Sequence, residues 1–200
     1  MTQHDLFGDS VPASPANGRS GPLDPSRQDC FFALRPSEAD LARIDALIER
    51  LLAAHGVKGA RVTAERLHIT LEPIGWADDV ESVEAACRAA DMVRMPAVDV
   101  TLDAAMTYRP DAFVLVGANG SSGLAGVHSL RTALGCALAD RGFRPKAKFN
   151  PHMTLSYDPR SRVEPLAIDP ISFRATEFAL VRSHLGQSRH EVLRSWPLKA

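Results

Sequence analysis

Two stretches of the chain share one pattern: RLHITLEPIG around His68 and NPHMTLSYDP around His152. Each holds His, an apolar residue, Thr and Leu, and the two histidines stand 84 positions apart. Their surroundings repeat as well. A strand-like run, a helix-like run, a glycine and a short connection precede each motif. Phe32 stands 36 residues before His68 and Phe113 stands 39 before His152, while Gly56 and Gly142 precede their histidines by 12 and 10. Similar order at similar spacing predicts a duplicated strand–helix–strand unit, its copies packed about a pseudo-twofold axis.

The periodicities give the elements of that unit. CFFALRP, from Cys30 to Pro36, reads as a strand. Ser37 with Asp40 resembles an N-cap and early acidic charge, and Leu41, Ile44, Ile48, Leu51 and Leu52 follow at helical spacing before Gly56. Leu67, Ile69 and Leu71 alternate with His68, Thr70 and Glu72, the period of a strand. A second helix is expected from about Asp79 to Arg94, with Val80, Val83, Cys87, Ala90 and Val93 as its stripe. VDVTLDAAMTY and AFVLVGA read as strands joined at RPD, and a third helix carries Leu124, Val127, Arg131, Leu134 and Leu138 on one face. ISFRATEFALVRS and HEVLRSWPL are expected to close the chain as two strands.

A strand turns residues i and i+2 to one face, so His68 projects with Thr70, and His152 with Thr154. If both polar faces line one groove, that groove holds two imidazoles and two hydroxyls. Transfer at phosphorus uses such a set: attacking and leaving oxygens lie in line, one needing a base and the other an acid. Histidine, with an ordinary pKa of ~6.5, supplies a neutral and a protonated copy near neutral pH. The threonines Thr70 and Thr154 are phosphate-binding candidates, holding non-bridging oxygens. A zinc site ordinarily needs three or four protein ligands, and neither motif offers a second His or a Cys pair, so no metal and no cofactor are expected.

LHITL, PHMTL, the opening FFALRP and the closing EVLRSWPL together resemble the two-histidine (2H) phosphoesterase superfamily, in its 2′-5′ RNA ligase/RNA 2′,3′-cyclic phosphodiesterase branch. The resemblance covers about residues 29 to 199. It implies a bilobal α+β fold, with two antiparallel sheets lining a central groove and helices outside. It also implies metal-independent opening of 2′,3′-cyclic phosphates to 2′-phosphates at RNA or nucleotide termini, with reversible 2′-5′ ligation in some members. Carried over, His152 is the base that activates water and His68 the acid that protonates the leaving 3′ oxygen. A small-molecule cyclic nucleotide phosphodiesterase and a non-catalytic RNA-end binding module stand as alternatives. In one place the chain departs from the family: many RNA-active members carry an arginine soon after the second motif, where Ser156, Tyr157 and Asp158 stand here. Lys146, Lys148 or Arg144, just upstream, are candidates for the missing charge, and Tyr157 or Phe149 for stacking on a base. His184 and His190 stand at strand ends from which they could reach the groove, and the expectation is that they are solvated.

The chain carries 23 basic and 24 acidic side chains, a net charge of −1, which argues against a long nucleic acid as partner and leaves a strand end or a small phosphorylated ligand open. Three scattered cysteines suit a reducing cytoplasm. No run approaches the ~18 apolar residues of a membrane span; the protein is expected in the cytoplasm, as a monomer. Residues 1–28 hold four of 14 prolines and three of 13 glycines and read as a disordered tail before a catalytic domain at 29–200. Within it QHDLF, from Gln3 to Phe7, resembles the short peptide by which bacterial replication and repair proteins dock onto the sliding clamp, with His4 in place of the usual leucine.

Overall fold

The structure, a computed structural model, describes residues 28–108, 111–118, 122–158, 162–184 and 186–199. The tail and its Gln3–Phe7 segment lie outside them. In chain order the elements are β1 (Gln28–Leu34), α1 (Glu38–Ala54), β2 (Ala60–Arg61), a 3₁₀ turn (Ala64–Arg66), β3 (Ile69–Trp76), α2 (Val80–Ala90), β4 (Val98–Tyr108), β5 (Ala112–Val116), α3 (Ala125–Ala139), β6 (His152–Tyr157), β7 (Leu166–Ala175), β8 (Glu177–His184) and β9 (Arg189–Pro197).

Local signals account for the helix ends. The Ser37 hydroxyl accepts from the Asp40 amide at 3.2 Å, and the Asp79 carboxylate accepts from that of Ser82 at 3.1 Å. Beyond α1 the chain turns at Gly56 with φ +63, a left-handed conformation that a side chain disfavours. The expected stripe of α3 is buried throughout, Arg131 included. That of α2 differs: Val80 is exposed, and the buried face is Ala86, Ala89 and Ala90, with Val83 and Cys87 half-buried. Packing against α3 favours small side chains there, and Val80 in the first turn faces solvent.

All strand pairings are antiparallel, giving an α+β fold. The strands follow the order β7-β4-β5-β6-β3-β1-β8-β9, with β2 paired to β6 at the side. Instead of two separate sheets, one hydrogen-bonded path forms, because Ile69 pairs with Met153 and joins β3 to β6 at that position. The expected strand ISFRATEFALVRS is two strands broken at Thr176: β7 pairs with β4, and β8 pairs with β1 and β9. Those strands stand far apart in the path yet are one residue apart in the chain, so the sheet must curl into a half-barrel. One side carries the main core with the helices; two smaller apolar clusters, Ala33–Ala179–Val181 and Ala104–Ala112–Val114–Val116, lie apart from it. Among the described residues no helix is long and apolar enough to cross a membrane.

Candidate active site

Burial alternates along both motif strands. Ile69, Leu71, Met153 and Leu155 are buried in the main core, while His68, Thr70, His152 and Thr154 are half-buried on the other face. The Ile69–Met153 pairing makes this one patch. In antiparallel register Thr70 comes beside His152 and His68 beside Thr154, so the four candidates meet where the halves of the sheet join.

Each imidazole is held the same way. His68 Nδ1 lies 2.7 Å from the Arg66 carbonyl, and His152 Nδ1 lies 2.8 Å from that of Asn150. A carbonyl only accepts, so Nδ1 carries the proton and Nε2 of the neutral ring is left as the base. The Thr70 hydroxyl bonds to His68 Nε2 at 3.1 Å.

The neighbours of the two rings differ. Phe31 stacks on His68 with centroids 5.0 Å apart, and His190 meets His68 edge-on at 5.2 Å and Phe31 at 5.6 Å. Burial pushes His68 down to about 4; the bond to the Arg66 carbonyl opposes this, and the charges of His152, Arg66 and Arg35 add to it. His190 falls to about 3, again through burial first and then the His68, Arg66 and Arg35 charges. Beside His152 stands Tyr108, centroids 5.1 Å apart. The motifs alone do not reveal Phe31, Tyr108 and His190 as members of the site. For Phe31 the available signal is the parity of β1, which turns it away from Phe32.

His190 is thus a half-buried groove residue rather than a solvated one, and His184 is buried, its ring bonded to Glu191 at 3.0 Å and Arg189 at 3.0 Å. Other candidates lie elsewhere. Lys148 is exposed. The Phe149 ring meets His128 at 5.3 Å and the Arg131 guanidinium at 5.5 Å, so α3 occupies the face expected to stack on a base. Tyr157 is the exception: it is exposed beside β2, and past the bulge at Leu155 it pairs with Ala112, whose cluster with Val114 and Val116 marks the face of Thr154 and His152. The neighbouring Asp158 is buried and accepts from the Lys58 amide at 2.9 Å, so this acid braces the β2 approach. Gly59 is required there: a Cβ would collide with the Tyr157 carbonyl. Among the described residues no group of three or more His, Cys, Asp or Glu is placed to hold a metal.

Comparison with known proteins bears on the family and the fold. The family model of the 2′-5′ RNA ligase superfamily matches residues 34–187. Escherichia coli LigT complexed with 3′-AMP is similar at 28% identity and TM-score 0.67, over 87% of this chain and 99% of that one. The same protein complexed with NADP+ gives 29% identity and TM-score 0.67 over the same shares. TT0787 of Thermus thermophilus shares the fold at 23% identity and TM-score 0.63, over 86% of this chain and 98% of that one. No curated protein matches the chain.

Proposed function

The chain belongs to the 2′-5′ RNA ligase superfamily, and we propose that it opens 2′,3′-cyclic phosphates at RNA or nucleotide termini to 2′-phosphates, in the cytoplasm, by two-histidine catalysis that needs no metal. The observation that carries this reading is the matched pair of imidazoles. Both are tethered through Nδ1 to a carbonyl two residues back, and both lie on the face that the Ile69–Met153 register brings together. The strand order supports a duplicated unit, since each motif strand has beside it the strand that precedes its helix, β1 for β3 and β5 for β6. Escherichia coli LigT has been crystallised with 3′-AMP and with phosphate, which accords with a groove for a phosphorylated nucleotide.

In this mechanism the ring phosphorus sits between the two His–Thr pairs. His152 takes a proton from water through Nε2, the water oxygen bonds to phosphorus, and the bond from phosphorus to O3′ breaks. His68 gives its proton to O3′, so the phosphate stays on O2′ and one proton has moved from each side. Thr70 and Thr154 hold the non-bridging oxygens. A 5′-hydroxyl in place of water gives 2′-5′ joining by the same steps. Burial favours the neutral form of His68, and a phosphate anion beside it favours the protonated form that an acid needs. Substrate binding and proton uptake at His68 are therefore linked.

The test is a short RNA ending in a 2′,3′-cyclic phosphate, incubated in EDTA with the native chain and with folded His68→Ala and His152→Ala variants. The expected result is ring opening by the native chain only, with the phosphate left on O2′. No opening from pH 5 to 9, or opening only after metal is added back, defeats the reading.

A further inference from the structure

Beyond His68, on the side away from β6, three nitrogen-bearing side chains converge without a carboxylate partner. Arg66 ends the 3₁₀ turn, and its main-chain carbonyl tethers His68. Its side chain is half-buried, Nε is shielded from solvent with no hydrogen bond, and the guanidinium makes no ion pair among the described residues. Arg35, half-buried after β1, bonds to the Glu65 carbonyl at 2.8 Å, which ties it to the same turn. His190 reaches the cluster from β9 through its contacts with His68 and Phe31, and its ring makes no hydrogen bond among the described residues. Glu65, exposed on the same turn, feels the charges of Arg66 and Arg35 without forming an ion pair with either, and its carboxylate takes the Thr63 hydroxyl at 2.6 Å. Elsewhere arginines are paired: Arg61 with Asp45, Arg131 with Glu72, Arg174 with Asp99, Arg194 with Asp91.

A half-buried guanidinium with a desolvated, unbonded Nε costs stability unless an anion completes it. The anion here is not the reacting phosphate, which belongs between β3 and β6, whereas this cluster lies past His68 toward β1 and β9. We infer that Arg66, with Arg35 and the His190 ring, forms a second anion subsite, which takes the phosphodiester preceding the terminal cyclic nucleotide of an RNA strand. The subsite rests on the cyclic phosphodiesterase reading and adds to it a preference for strand ends over free nucleotides. It also supplies cationic charge to a groove whose second motif has Ser156, Tyr157 and Asp158 in place of an arginine. The charges of Arg66 and Arg35 already act on both His68 and His190, in agreement with this geometry.

The test compares a dinucleotide and a mononucleotide of the same terminal base, each with a 2′,3′-cyclic phosphate, by kcat/KM. It repeats the comparison with the 2′-phosphorylated forms by titration calorimetry. The native chain prefers the dinucleotide about tenfold or more in both assays, the effect of one charge-assisted phosphate contact. Arg66→Met, which keeps the apolar stem and the main-chain tether, brings that preference to within about twofold, and Arg66→Lys restores part of it. Equal treatment of the two ligands by the native chain, or an undiminished preference in Arg66→Met, overturns the subsite. Should neither cyclic phosphate be opened while calorimetry shows an Arg66-dependent preference, the catalytic reading falls and the subsite stands.

Discussion

His68 and His152 share a backbone device and a strand face but differ in their aromatic neighbours. Both rings hang from the carbonyl two residues before them. Around His68 the ring is stacked by Phe31, met edge-on by His190, bonded by Thr70 and faced by two arginine charges. His152 has Tyr108 beside it instead. The motif therefore sets position and tautomer, whereas burial, to which Phe31 of β1 and His190 of β9 contribute by contact, sets the charge preference of the first ring. Symmetric scaffolding with unlike surroundings suits an acid–base pair, whose two members do opposite work.

The largest effects bear on whether the pair acts as a unit. His68→Ala and His152→Ala are each expected to lower turnover of a cyclic phosphate by about 10²–10⁴, with the double variant little worse than either single one. Initial rates with purified variants check this; multiplicative losses separate the two sites. Next comes the tie between the halves. Glu72 on β3 and Arg131 on α3 form a buried ion pair, and the Glu72 carboxylate also accepts from the Lys146 amide at 3.2 Å. Arg131→Met leaves that carboxylate buried without its cation and is expected to cost about 3–5 kcal/mol in urea unfolding at pH 7. A loss below about 1 kcal/mol removes this pair as a link. Thr70→Val and Thr154→Val are each expected to lower kcat about tenfold to a hundredfold, the value of one hydrogen bond to a charged group. Thr70 also bonds His68, so its substitution is further expected to shift the pH profile.

The smallest effect is on stability against pH. His68 and His190 are held by burial near 4 and 3, below the ordinary 6.5, so between those values the unfolded chain binds more protons than the folded one. The stabilisation is whole above about pH 6.5 and is lost as pH falls through about 4 and then 3. His190→Phe is expected to make the decline from pH 7 to 5 shallower; an unchanged slope in urea midpoints assigns acid sensitivity elsewhere.

Legibility in the sequence followed the range of the interaction. The α3 stripe and the cap at Ser37 rest on contacts within a few residues, and their patterns were readable. The face shared by His68 and Thr70 rests on strand parity and was readable too. The break at Thr176 was not, because Ala175 and Glu177 differ in partner strand rather than in local propensity. Nor was the Phe31–His68–His190 contact, since strand pairing through β8 brings β9 to β1. Val80 fitted the helical period yet stayed exposed, for a stripe predicts a face and not its width.

The bend at Thr176 has one further consequence. Residues 98–175 supply β4, β5, α3, β6 and β7, so one half of the sheet is a single uninterrupted stretch set inside the other. Its two ends are neighbours, because Val98 pairs with Ala175. Chain enters and leaves that half at one corner, and the path rejoins at Ile69–Met153. The spacing of the two imidazoles is thus set where the halves meet, by the Ile69–Met153 and β2–β6 pairings, the shared core and the Glu72–Arg131 ion pair, rather than by the two chain connections.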